Sequence, residues 1–190
     1  MDIAEEYFLD DIYEIEANGM LADIMVSTPL LPYFMDFDEE KHKKAISYIK
    51  SVFKECYKAG QLKVLISHEE KALYGFALLF EFIELKTTYL HKIFVHEKYR
   101  GKGLGTQMLQ KICASSKTVI LLCSADNKDF YEKNSFNFLQ FFETPKDDNF
   151  KLSKHLYTGL IVMSTTSEKS GEAPIFFLND RDLNIIAGVE

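Results

Sequence analysis

A chain of 190 residues, 47% of them hydrophobic, is long enough for one well-buried core and too short for two comfortable domains. A formal net charge of -7 argues against a dedicated nucleic-acid-binding protein, because phosphate binding depends on clustered basic surface. We expect a cytoplasmic protein with reduced thiols, because its three cysteines lack metal-ligand or redox spacing and the sequence has no recognisable secretion signal or membrane span.

The first part of the chain predicts a strand, a turn and two helices. Residues 12–15 alternate like a short strand, and residues 21–26 predict a short helix. Two prolines within residues 27–32 preclude a continuous helix there. Over residues 38–59 apolar residues recur at helical spacing and Gly60 follows, which predicts the longest helix of the chain.

The middle of the chain predicts a meander followed by a crossover. Three strand-like runs at residues 62–67, 72–83 and 88–95 favour consecutive antiparallel strands. A glycine-rich turn then leads into an apolar-periodic helix at residues 104–115, and residues 118–123 form a short apolar run typical of a buried strand. Strand, helix and strand together predict a parallel crossover.

The last part of the chain predicts a short helix at residues 126–133 and two closing strands at residues 138–142 and 157–163. Beyond them the composition becomes polar and glycine-containing, which is typical of a linker, and an apolar tail follows. We therefore expect one domain at residues 1–166, and at residues 167–190 a linker and a tail that packs on the body or on a partner.

The glycine-rich turn at residues 100–106, Arg-Gly-Lys-Gly-Leu-Gly-Thr, joins a predicted strand to a predicted helix. Glycines allow the main chain to approach a ligand closely, and amides at a helix start can converge on an anion. The spacing matches neither a P-loop nor a dinucleotide-binding fingerprint. A tight turn without a ligand is the alternative reading of the glycines alone.

Two segments carry a resemblance to a known family. The strand at residues 89–95, four further residues and the turn at 100–105 resemble motif A of the GNAT superfamily of N-acyltransferases. Phe-Tyr-Glu-Lys-Asn-Ser-Phe at residues 130–136 resembles the Phe-Tyr-Glu-Lys-x-Gly-Phe of motif B. The resemblance implies an α/β fold with a mixed, mostly antiparallel sheet of about seven strands, flanked by helices and splayed into a V between strands 4 and 5.

The same resemblance implies acetyl-CoA as cosubstrate. The pantetheine arm would fill the splay, where unpaired backbone groups need partners, and the turn amides would hold the pyrophosphate. Ser124 stands where many members have Asn, and Asn127 where Ala is usual. The residues expected to bind the cosubstrate are Phe94, Val95, Arg100, Gly101, Lys102, Gly103, Leu104, Gly105, Thr106, Ser124 and Asn127.

Amide formation needs a neutral amine, and deprotonating an alkylammonium at pH 7 costs roughly 4 to 5 kcal/mol. His91 suits a general base at neutral pH, and its position is similar to that of a base carboxylate in spermidine/spermine N-acetyltransferases. Period-two alternation places His91 on one face of its strand with Tyr89, Ile93 and Val95. A structural histidine, or a base acting through ordered water, is the alternative.

Tyr131 of motif B is the expected general acid, because the family often uses this tyrosine to protonate the departing thiolate. A core aromatic residue is the alternative. We expect no metal, because the remaining histidines are scattered without ligand spacing.

The resemblance assigns the acceptor site partly to the segment between the first two helices, where we expect Tyr33, Asp36, Asp38 and Glu39 to contact the acceptor. Acidic walls favour a cationic acceptor. Our leading hypothesis is acetyl transfer to a small primary amine such as a polyamine, with a homodimer left open. The alternatives are a protein or peptide N-acetyltransferase and a non-catalytic acyl-CoA-binding regulatory module.

Overall fold

The computed structural model describes residues 2–3, 6–82, 87–167 and 175–188. The strands in this part of the chain are β1 (Asp2–Ile3), β2 (Leu62–Glu69), β3 (Ala72–Phe82), β4 (Thr87–Val95), β5 (Thr118–Cys123), β6 (Asn137–Phe141) and β7 (Ile161–Ser164). The α-helices are α1 (Glu6–Val26), α2 (Glu39–Lys58), α3 (Leu104–Ser115), α4 (Lys128–Glu132) and α5 (Asp180–Ala187). The strands form one sheet in the order β1-β2-β3-β4-β5-β7-β6.

The sheet is mostly antiparallel, with one parallel pair at its centre. Strands β1 to β4 are antiparallel neighbours, β5 runs parallel to β4, and β7 is antiparallel to both β5 and β6. Pairing between β4 and β5 begins at Thr87 with Thr118 and stops at Leu90 with Leu121. Both strands continue beyond that point without pairing to each other. The predicted mixed sheet with a splay between strands 4 and 5 is confirmed.

Helix α2, the meander β2 to β4, helix α3 and strand β5 lie where the sequence predicted them. The strand predicted at residues 12–15 is wrong, because these residues lie inside α1, and the separate helix predicted at 21–26 is the last part of α1. Helix α1 buries Ile12, Leu21 and Ile24 at helical spacing. A window of four alternating residues was too short to reveal that period.

Two sequence-based expectations fall partly outside the described residues. These are the end of the second predicted run, at residue 83, and the linker, of which residues 168–174 are not described. The last predicted strand, residues 157–163, is shorter than expected. Residues Ser153–Leu156 form a turn of 3-10 helix, and β7 begins only at Ile161.

Each face of the sheet carries its own buried cluster. Helices α1, α2 and α5 cover one face, and α3 and α4 cover the other. The C-terminal segment belongs to the first cluster, where Leu178, Leu183 and Ile186 are almost completely buried. Tyr48 Oη of α2 donates a hydrogen bond of 2.6 Å to Asp182 Oδ1 of α5. The two helices are thereby joined.

A β-bulge in β4 changes which side chains share a face. Leu78 of β3 pairs with Lys92 and Leu79 pairs with Leu90, so His91 is an extra residue in β4. His91 and Lys92 therefore both reach α1, whereas Ile93 packs on the opposite cluster. The predicted common face of residues 89, 91, 93 and 95 is wrong, because the bulge interrupts the period of two.

Candidate active site

Two cavities meet at the splay between β4 and β5. The turn-side cavity, about 540 Å³, lies over the glycine turn and the end of β4. The tail-side cavity, about 590 Å³, lies between α1, β4, the loop before β7 and the C-terminal segment. Ile93, Asn127 and Tyr131 line both cavities. A molecule bound in one cavity can therefore meet a molecule bound in the other.

The glycine turn has the backbone that its sequence requires. Gly101 and Gly103 have φ of 75° and 76°, a left-handed conformation that favours glycine. A Cβ atom at either position would meet no atom within 4 Å, so the main chain lies open there. Helix α3 begins at the next residue, Leu104, and its first amides have no acceptor within the helix. These donors suit a bound anion such as a phosphate.

The turn-side cavity brings together most of the residues predicted to bind the cosubstrate. It is lined by Phe94, Val95, Arg100, Gly101, Gly103, Leu104, Gly105, Thr106 and Asn127. Arg100 Nε donates a hydrogen bond of 3.0 Å to the Val95 carbonyl, so its side chain ties the turn to the end of β4. The Lys102 ammonium lies 5.5 Å from the centre of the Tyr99 ring.

Ser124 and Asn127 follow β5 and lie at the junction of the cavities. Ser124 lines the tail-side cavity and Asn127 lines both. Asn127 Nδ2 donates to Ser124 Oγ at 3.3 Å. The two polar side chains thus stand together beside the open end of β5.

Tyr131 of α4 is 9% exposed and lies where the cavities join. Burial raises the pKa of its phenol, and the nearby Cys123 adds to this effect. Tyr131 is therefore protonated at neutral pH and holds its proton more firmly than an exposed phenol does. Burial also raises the pKa of the Cys123 thiol to about 11.

The His91 ring lies within a group of aromatic rings on the α1 face of the sheet. Its centre is 5.6 Å from the ring of Phe53, 5.9 Å from Phe80, 6.0 Å from Tyr89 and 5.1 Å from Phe176. Both ring nitrogens are buried and have no hydrogen-bond partner. Unpaired buried polar atoms are costly, so a ligand that supplied a partner would gain free energy there.

Glu16 of α1 is a site residue that sequence analysis missed. Its side chain is 3% exposed, with Oε1 3.3 Å from His91 Nε2 and Oε2 3.3 Å from Lys92 Nζ. The His91 contact lacks the alignment of a hydrogen bond. In a helix, Glu16 would have been noticed as a carboxylate on the apolar face. The sequence instead predicted a strand at residues 12–15, so this signal was missed.

Charge in the tail-side cavity centres on Glu16. Burial raises the pKa of its carboxyl, but His91 and Lys92 outweigh that effect, so the pKa lies below its usual range. Asp23 lies two helical turns beyond Glu16 in α1, on the same side of the helix, and also lines the cavity. Burial raises the pKa of Asp23, Lys92 opposes the change and Glu16 adds to it.

The predicted acceptor residues Tyr33, Asp36, Asp38 and Glu39 are not among the residues that line the tail-side cavity. Tyr33 is 44% exposed in the 3-10 helix Thr28–Phe34, and Asp36 is exposed. Asp38 caps α2 by accepting a hydrogen bond of 2.8 Å from the amide of Lys41, and Glu39 pairs with Lys43 at the surface. The acidic side chains that do reach the cavity are Glu16 and Asp23.

The described residues contain no group of three or more His, Cys, Asp or Glu side chains arranged to hold a metal ion. None of the helices found in this part of the chain is long and apolar enough to cross a membrane.

Comparisons with known proteins agree with the fold. Residues 60–137 match the family model of the acetyltransferase (GNAT) domain. A chimera of the spermidine N-acetyltransferase SpeG from Vibrio cholerae and hSSAT is similar in structure, at 12% identity, over 87% of this chain and 93% of that chain, with a TM-score of 0.52. No curated protein matches the chain by sequence.

Two other solved structures align over a smaller share of the chain. Escherichia coli ElaA is 19% identical over 55% of this chain and 68% of that chain, with a TM-score of 0.42. An acetyltransferase from Thermus thermophilus is 12% identical over 63% of this chain and 73% of that chain, with a TM-score of 0.49.

The family match and the sheet with its splay confirm the resemblance found in the sequence. Residues 60–137 are similar to the acetyltransferase (GNAT) domain, and this match supports an N-acetyltransferase activity. Members of this superfamily generally take their acetyl group from acetyl-CoA. The amine that accepts the group has to be inferred from the tail-side cavity.

Proposed function

We propose that this protein transfers an acetyl group from acetyl-CoA to the primary amine of a small molecule, by direct attack while both substrates are bound. The observation that carries the proposal is the meeting of the two cavities at Tyr131. The turn-side cavity takes the cosubstrate and the tail-side cavity takes the amine.

The cosubstrate fits the turn-side cavity in two ways. The open amides at residues 101–106 suit its pyrophosphate, because Gly101 and Gly103 leave the main chain uncovered. Beyond Leu90 and Leu121 the strands no longer pair with each other, so their backbone groups can bind the pantetheine arm. An amide of Phe94 or Val95 would then stabilise the negative charge that develops on the carbonyl oxygen during attack.

His91 is the base in this proposal, and Glu16 is its positioning residue. The amine enters as an ammonium ion and must lose a proton before it can attack. An imidazole nitrogen without a hydrogen-bond partner can accept that proton. Glu16, 3.3 Å from Nε2, then stabilises the imidazolium that forms.

Tyr131 is the acid, and it protonates the sulfur that leaves when the amide forms. Cys123 lines the same cavity but does not carry the acyl group. With a pKa of about 11, roughly one thiol in 10,000 is ionised at pH 7, and the thiolate is the reactive form. Direct transfer is therefore favoured over an acyl-cysteine route.

The acceptor is a small molecule in this proposal, because the tail-side cavity is walled on several sides. Leu156, Tyr157 and Leu160 of the loop before β7 form one wall, and Phe176 and Leu178 form another. A protein or peptide acceptor would need a groove open at both ends. The polyamine expected from the sequence belongs in the panel of amines to be tested.

The test combines binding and turnover. Acetyl-CoA should raise the Tm of the protein, because a ligand bound only to the folded state stabilises it. Thiol release in the presence of an amine panel then measures transfer. Tyr131→Phe should keep the Tm shift and lose about 10²- to 10⁴-fold in kcat, the usual contribution of a general acid. Unchanged thiol release in this variant would remove the acid role from Tyr131.

A further inference from the structure

Slightly more than half of the wall of the tail-side cavity is apolar. Its apolar and aromatic lining comes from α1, from both splayed strands, from the loop before β7 and from the C-terminal segment. These residues are Met20, Ile24, Tyr89, Ile93, Leu122, Leu156, Tyr157, Leu160, Phe176 and Leu178. Such a wall favours an acceptor that brings apolar surface with it.

The charge available to an acceptor in this cavity is small. Among the described residues that line it, the charged side chains are Glu16, Asp23 and Lys92. Glu16 and Lys92 lie 3.3 Å apart and offset each other. One carboxylate, that of Asp23 near the rim, is left for an incoming cation. Spermidine would bring more ammonium groups than this cavity can pair, and an unpaired buried charge is costly.

Phe176 lines the cavity beside His91. Its ring lies 5.1 Å from that of His91 in an edge-on arrangement, and it stacks on Phe80 at 4.9 Å and on Phe53 at 5.3 Å. It therefore contacts the ring that would take the proton from the amine.

Phe177, the next residue, points to a different cluster. It stacks on Phe142 at 5.4 Å and meets Phe150 at 5.7 Å and Tyr157 at 5.2 Å. The two neighbouring phenylalanines thus fasten the same segment to two parts of the protein. Of these two phenylalanines, Phe176 lines the tail-side cavity and Phe177 does not.

From these observations we infer that the acceptor is a monoamine with an apolar aliphatic or aromatic body, and that Phe176 of the C-terminal segment determines this selectivity. The inference rests on the proposed function. The single free carboxylate attracts one ammonium group, the apolar wall holds the body of the molecule, and Phe176 directs the amine toward His91.

The experiment measures kcat/KM by thiol release for hexylamine, phenethylamine and spermidine. We expect the two monoamines to exceed spermidine by at least about tenfold, the discrimination that small apolar differences give in a pocket. In Phe176→Ala this preference should fall by about tenfold, mainly through a higher KM for the monoamines. Phe176→Leu keeps most of the apolar wall, so it should fold and shift the preference in the same direction by less.

Phe177→Ala is the matched control, because it removes the same ring from the same segment outside the cavity. It should keep the wild-type ratio of monoamine to spermidine. A wild-type preference for spermidine, or equal loss of selectivity in the Phe176 and Phe177 variants, would overturn the inference and leave the proposed function intact. If acetyl-CoA fails to shift the Tm and no amine releases thiol, the proposed function fails, and the inference with it.

Discussion

Glu16 holds its charge inside the protein because two neighbours face it. One of its carboxylate oxygens lies 3.3 Å from His91 Nε2, and the other lies 3.3 Å from Lys92 Nζ. This arrangement follows from the bulge in β4, which turns both of those side chains toward α1. Without the extra residue, one of them would lie on the other face of the sheet. The bulge therefore assembles the candidate base with its carboxylate.

His91→Gln should lower kcat/KM by about 10²- to 10⁴-fold near neutral pH, because the variant has no group to take the proton from the amine. The loss should shrink as the pH approaches the amine pKa of about 10.4, where the free amine becomes abundant in solution. A pH series of kcat/KM from thiol release measures both effects.

His96→Gln is the control for His91→Gln. His96 follows β4 directly and meets the ring of Phe94 at 5.0 Å, but it lines neither cavity. This variant should keep the wild-type profile. If His91→Gln also kept the wild-type pH profile, His91 could not be the base.

At the scale of elements, the loop before β7 and the C-terminal segment hold each other in place. Asp180, the first residue of α5, accepts hydrogen bonds from the amides of Leu152 and Ser153 and from Ser153 Oγ at 2.8 Å. Tyr157 Oη accepts from the amide of Leu178 at 2.7 Å and donates to its carbonyl at 3.0 Å. Both walls of the tail-side cavity thus depend on the same contacts.

Asp180→Ala should lower the free energy of unfolding by about 1 to 3 kcal/mol, because it leaves the half-buried amide of Leu152 and the buried amide of Ser153 without their charged acceptor. The loss should be accompanied by faster hydrogen exchange in residues 150–157 and by a higher KM for the amine. Asp148→Ala removes an exposed carboxylate of the same loop, which pairs with Lys151 at the surface, and should change neither quantity by much. Unchanged exchange in Asp180→Ala would show that these bonds do not hold the loop.

The sequence predicted elements well where a single period continued over many residues. Helix α3 and strand β5 lie at the predicted boundaries, because their apolar patterns are unambiguous. The prediction was wrong at α1, where four residues alternate as they would in a strand. It also missed the bulge in β4, because no local sequence pattern indicated it. Both errors affected the candidate site, since they hid Glu16 and misassigned the face of Ile93.

In the molecule as a whole, the sequence motifs identified the turn-side cavity, whose lining residues are mostly close together in the sequence. Residues 94–106 are close in sequence, so the resemblance to motif A was enough to predict that they bind the cosubstrate. The tail-side cavity joins residue 16 of α1 to residue 176 of the C-terminal segment. Such long-range contacts have no signature in a single sequence. Asp38 and Glu39 were therefore predicted to contact the acceptor, although they line neither cavity.

The stability of the whole molecule should depend on Glu16 in acid. The pKa of Glu16 lies below its ordinary 4.5 in the folded protein, so the carboxylate contributes stability that is fully present above the ordinary pKa. That contribution is lost as the pH falls through the lowered pKa. Glu16→Gln should therefore lose less stability than the wild type between about pH 5 and pH 3, measured by urea unfolding. Identical losses in both proteins would contradict the ionised state of Glu16.

Acetyl transfer in the proposed site requires the glycine turn and the splay to bind coenzyme A. Calorimetric titration of the wild type with coenzyme A tests it directly, beside Gly103→Ala, in which a left-handed residue gains a side chain at a cost of about 1 to 2 kcal/mol. We predict saturable heat with one site per chain in the wild type and weaker binding in the variant. No heat and no Tm shift with coenzyme A in the folded wild-type protein would show that the glycine turn and the splay do not bind coenzyme A.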